Sequence, residues 1–309
     1  MAFKFRIRES AGDGIRRMAR EQMDKALGEI ADTGLDNDKT VHQLRKRCKK
    51  IRALLRLSRG NLDGKGKTYR HENACFRHAA RSLSLARDAE ALLETCDKLV
   101  DPLSAQDAVG SLNKVRAALE QRRQAVADDK LVLDEKIAAF ALTLREARER
   151  VDNWPISDGF DALLPGLKKN YRQGRKALKK AAKKPNSENL HEWRKRVKYH
   201  LYHVQVLVPL WSDVLKAWQE ETEKLGENLG DDHDLAVFSQ TLLDEKEIFD
   251  CHGDLRVLLA LSDRRRARLQ AQAFPLGQRL FAEKPKQLVR RYEAYWDAYH
   301  LQSSGQAVG

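Results

Sequence analysis

Two stretches of this chain repeat one arrangement of residues that could hold an anion. In TVHQLRKRCKKIRALLRLSR, residues 40–59, the side chains His42, Arg45, Lys49, Arg52 and Arg56 recur at helical spacing. In NLHEWRKRVKYHLYHVQVLV, residues 189–208, His191, Arg194, Lys198 and Tyr202 do the same. At about 100° per residue the first set falls within an arc of about 80°, so a helix gathers it into one stripe. Such a stripe suits phosphate oxygens, which Arg binds through two donors and Lys as a point charge, and offers little with which to read bases. Aligned cations repel one another and are costly to desolvate, so they need a polyanion, acidic neighbours or open water. The plainer alternative is a helix whose basic stems cover apolar surface, and the matching second stripe weighs against it.

Further basic residues fall at the same spacings. Arg16 and Arg20 stand one turn apart, Arg172, Arg175 and Lys179 form a third stripe, and Arg77 lies among Arg70, Asn73 and Arg81. The dense acidic cluster Asp231, Asp232, His233 and Asp234 could hold a divalent cation with a partner carboxylate, or cap a helix and pair with a nearby Arg, as Asp88 would beside Arg87. No nucleophile elbow, glycine-rich phosphate loop or helical zinc signature occurs. The five tryptophans, Trp154, Trp193, Trp211, Trp218 and Trp296, fit packing positions better than base stacking, and His200 and His203 read as packing residues beside Tyr199 and Tyr202.

The elements that must position these residues are helices, and the fold class is all-α. Helices are expected at about 10–30, 40–59, 68–99, 104–128, 131–151, 160–182, 188–208, 212–229, 232–246, 251–273 and 284–300, the one at 251–273 stopping before Pro275. Val41, Leu44, Cys48, Ile51 and Leu55 form the core face of one striped helix; Leu190, Trp193, Val197, Val204 and Val208 form that of the other. Asp88 follows His42 by 46 residues and Asp234 follows His191 by 43, which points to an internal duplication with a period of about 150 residues. The best boundary is the Pro- and Gly-containing segment 153–159, dividing the chain into halves at 1–153 and 154–300, with a disordered tail at 301–309. Two such halves would pack about a pseudo-two-fold axis and bring both stripes to one groove.

Composition narrows the partners. The 309 residues carry 58 Lys and Arg against 45 Asp and Glu, a formal charge of +13, which attracts anionic polymers or surfaces. Cys48, Cys75, Cys96 and Cys251 are scattered without a CxxC pair and read as reduced thiols of a cytoplasmic protein. No apolar run reaches the roughly 20 residues that span a bilayer, and no membrane partner is expected.

With VHQLRKRCKKIR and LHEWRKRVKYHLY, followed by SLARDAEAL and LGDDHDLAVF, the chain closely resembles the CHAD domain, the conserved histidine α-helical domain, over about residues 8–300. The resemblance implies two four-helix-bundle halves around a central basic cavity that binds inorganic polyphosphate, in a cytoplasmic protein often associated with polyphosphate granules and their proteins. Carried over by position, the ligand-binding stripe is His42, Arg45, Lys49, Arg52 and Arg56 with His191, Arg194 and Lys198, flanked by Arg16, Arg20, Arg172 and Arg175. Leu201 stands where the first copy has Arg52, and Tyr199 where it has Lys50, so the second half offers fewer cations. Some relatives carry a fused triphosphate-tunnel domain, whose repeated Glu-x-Glu pattern is missing here. The expectation is a binding module with no cofactor and no catalytic residues; a metal-dependent phosphohydrolase and a nucleic-acid-binding module are the alternatives. His42 and His191 would add charge below about pH 6.5 and tighten binding in acid.

Overall fold

The computed structural model describes residues 3–60, 62, 66–99, 109–128, 130–245 and 254–305, with side chains at all of these but 85–88, 109–111, 125–128, 130, 254 and 302–305. The described residues form α-helices joined by short turns, with no strand among them. The helices are α1 (Ala11–Ala31), α2 (Asn37–Leu57), α3 (Lys67–Ser82), α4 (Ser84–Leu99), α5 (Val109–Asp128), α6 (Lys130–Val151), α7 (Leu164–Lys183), α8 (Ser187–Leu207), α9 (Ser212–Asp244), α10 (Asp254–Leu280) and α11 (Pro285–Gly305). Their starts follow local chemistry: Ser10, Asp36 and Asn186 accept backbone N–H groups of α1, α2 and α8, satisfying donors with no intrahelical partner.

Helices α1, α2, α3 and α6 pack together, as do α7, α8, α9 and α10, and α2 lies against both α7 and α8. The core faces expected for α2 and α8 are buried as read, from Val41 to Leu55 and from Leu190 to Val208. One large core runs through both groups, and a smaller one forms where Leu92, Cys96 and Leu119 of α4 and α5 meet Phe238, Leu242 and Leu258 of α9 and α10.

Several expected elements differ. The helix expected at 68–99 is two: Ser82 donates its hydroxyl to Ala79 O, and Leu83 leaves the helical line to bury its side chain. The helices expected at 212–229 and 232–246 are one, α9, so Asp231–Asp234 lie inside a helix and cap nothing. Gly230 lies within α9 facing Arg194, whose Nε would be 3.8 Å from a Cβ there, an ordinary van der Waals contact. Helix α10 passes through Pro275, where Phe274 stacks on Trp193 at 5.4 Å and burial outweighs one missing backbone donor. A 3-10 turn at Phe160–Ala162 precedes α7, and α11 continues through residues 301–305, where a tail was expected. Cys251, the starts expected at 104 and 251, and residues 306–309 lie outside the described residues.

Candidate functional site

Helix α7 crosses the last turn of α2 at backbone contact, because Gly166 carries no side chain: a Cβ there would run into the carbonyl oxygens of Leu57 and Arg56. Beside this crossing opens a cleft of ≈ 240 Å³ lined by Arg56 and Arg59 from the end of α2, Tyr69 of α3, Gly166, Lys169, Asn170 and Gln173 of α7, and Arg196 of α8. Among the described residues, four cations and no carboxylate line it.

Several half-buried guanidiniums elsewhere meet carboxylates: Arg17 meets Glu9 and Glu21, Arg47 meets Glu29, Arg150 meets Glu72, Arg266 meets Asp232 and Arg291 meets Glu283, whereas Arg45 and Arg175 donate to backbone carbonyls. Arg56 is held by neutral groups alone: it donates to Asn73 Oδ1 at 2.8 Å and Arg52 O at 3.0 Å, and its guanidinium lies 4.1 Å above the Tyr199 ring. Arg52 donates to the same Asn73 oxygen at 3.3 Å, and Arg59 lies 4.4 Å above Tyr69. Arg196 has a carboxylate no nearer than Glu192, at 3.9 Å. Burial lowers the pKa of Arg56, opposed by the ionisable hydroxyls of Tyr199 and Tyr69 and reinforced by the Arg52 and Arg196 charges. Lys169 is lowered by burial and then by Arg59, Arg172 and Arg196, as expected of an ammonium group placed among cations.

The other expected site residues fall into three groups. Arg45 donates to Ala80 O at 3.2 Å, placing the upper part of the α2 stripe against α3, where His42, Lys49 and Arg77 are exposed. The α8 stripe lies against α9: Arg194 and Lys198 rest on Gly230 and Gly226, Tyr202 is buried, and burial together with Arg194 lowers Lys198, against the pull of Glu227, Glu223 and Asp234. Arg16 donates to Trp154 O and Ile156 O, Arg20 pairs with Asp152 at 2.6 Å, and Arg175 donates to Glu283 O at 2.8 Å, so these arginines fasten connecting segments. Arg172 and Lys179 are exposed on α7 and do not line the cleft, although Arg172 lies near enough to Lys169 to lower its pKa.

His191 is not poised to protonate near pH 6.5. It stands 3.3 Å from His233, and burial, Lys195 and Arg194 hold its pKa below the ordinary value, while burial and Arg194 lower His233 to about 3. The acidic cluster is divided among partners: Asp232 is buried and accepts from Arg266 and Gln270, and Asp231 faces Lys98. No group of three or more His, Cys, Asp or Glu able to hold a metal ion occurs among the described residues. His200 and His203 are buried packing residues, as read, and Trp211 is half exposed against Tyr295. No helix among the described residues is long and apolar enough to cross a membrane.

Residues 17–243 match the CHAD domain family, and the chain belongs to that family. A search of curated proteins finds no match.

Proposed function

We propose that this chain binds inorganic polyphosphate in the cleft between α2, α3, α7 and α8, and that it does so as a binding module without catalytic residues. The observation that carries the reading is the neutral support of Arg56. An amide oxygen, a backbone carbonyl and a ring face fix its guanidinium and leave its charge available, and Arg59, Lys169 and Arg196 converge beside it. Converging cations without carboxylates favour an anionic ligand with closely spaced charges, which a phosphoanhydride chain supplies. One face of Tyr69, the aromatic ring among the cleft-lining residues, is taken by Arg59, which leaves less of it for an unstacked base and disfavours single-stranded nucleic acid.

The finer architecture belongs to the same reading. The two striped helices act as equivalent members of duplicated halves that meet where His203 contacts Ala53 O, with the cleft beside that meeting as the central basic cavity. Cytoplasmic polyphosphate granules and their proteins are the setting this ligand implies. The test is titration with linear polyphosphate and, at equal phosphate, with single-stranded DNA, using the wild type and Arg56→Gln/Lys169→Gln. Tight binding of polyphosphate alone, lost in the variant, supports the reading; equal binding of DNA or an unaffected variant refutes it.

A further inference from the structure

Tyr199 was read from sequence as a lost cation, since it stands where the first copy has Lys50. Its position gives it another use: its ring comes from α8 and lies beneath a guanidinium from α2, joining the two striped helices at the cleft. Tyr69 does the same for Arg59 from α3.

An arginine among like charges tends to swing toward water, where its charge is better solvated and repulsion is weaker. A carboxylate would hold it in place and neutralise it. A ring face holds it by its quadrupole without neutralising it, and fixes the plane in which the donor fork lies. We propose that Tyr199 and Tyr69 are positioning residues for polyphosphate binding: they orient Arg56 and Arg59 toward phosphate oxygens before the ligand arrives. Affinity then exceeds what the same charges on free side chains would give, because less rotamer freedom is lost on binding. This inference rests on the polyphosphate reading above.

The rings carry no formal charge, so their removal should change affinity without changing the number of ions released. Polyphosphate is titrated at several salt concentrations into the wild type, Tyr199→Phe, Tyr199→Leu, Tyr69→Phe and Tyr69→Leu, with thermal melts confirming that each variant is folded. Each Phe variant should bind like the wild type. Each Leu variant should bind about tenfold more weakly, the scale of one partly desolvated cation–π contact, with the slope of log affinity against log salt unchanged. In an Arg56→Lys background, where the planar fork is gone, Tyr199→Leu should lose most of its effect. Wild-type affinity in the Leu variants, or equal losses in Phe and Leu, overturns the positioning role while leaving the polyphosphate site standing. Failure of the wild type to bind polyphosphate overturns the site itself.

Discussion

Salt gives the sharpest reading of the cleft, because it counts charges. Four cations converge there, Arg56, Arg59, Lys169 and Arg196. If each neutralises one phosphate, and each neutralised phosphate contributes about 0.7 to the slope as in single-stranded nucleic acids, log affinity should fall against log salt with a slope of about −2.8. Raising monovalent salt from about 50 to about 200 mM then weakens binding of a short linear polyphosphate about 50-fold. The perturbation is Arg59→Gln/Arg196→Gln. Arg59 is exposed, and Arg196 has only the 3.9 Å approach of Glu192 to lose, a contact worth under about 1 kcal/mol, so the fold should survive. With two cations removed the slope should fall to about −1.4 and the same salt step should cost about sevenfold. Calorimetric titration at four salt concentrations measures both slopes, and Arg116→Gln on α5, whose guanidinium is paired with Asp97, serves as the control. An unchanged slope in the double variant, or an equal fall in the control, would refute the assignment of the ligand to this cleft.

Two further outcomes follow from the buried polar groups. Burial holds His200 at about 4 and His203 at about 3, so both are neutral in the fold, whereas the unfolded chain protonates them near 6.5. Stability should therefore be lost as pH falls below about 6.5, by about 1.4 kcal/mol per pH unit for each histidine until its folded pKa is reached; in urea titrations His203→Gln should flatten this limb, and profiles parallel to the wild type would contradict the account. Asp232→Ala strands Arg266 and Gln270 and should cost about 3 kcal/mol in urea stability while leaving polyphosphate affinity within about twofold; loss of affinity in a still-folded variant would place the acidic cluster in the site.

The helices and their buried faces were legible because apolar periodicity is a local property: every residue assigned to the core faces of α2 and α8 is buried. Chain breaks were less so. The gap expected between 229 and 232 and the stop expected before Pro275 are both absent: α9 runs on through Gly230, and α10 through Pro275, next to the stacked pair Phe274 and Trp193. The cleft was only partly legible. Of the four cations that line it, Arg56 was named from the stripes, whereas Lys169 and Arg196 were not, and Arg59 lies past the end of α2. They come together through the crossing of α2 and α7, and the local trace of that crossing is Pro165-Gly166 at the start of α7. The partners of other arginines were hidden for the same reason. Arg16, Arg20 and Arg175 have the right type and spacing, but the carbonyls and carboxylate they meet belong to distant segments.

The most direct test observes the cleft arginines themselves. In protein labelled at arginine side chains, the Nε–H resonances of Arg56, Arg59 and Arg196 should shift saturably as linear polyphosphate is added, while those of Arg47 and Arg150, already paired with Glu29 and Glu72, stay fixed. Shifts confined to other arginines, or uniform small changes that never saturate, would contradict a polyphosphate site in this cleft.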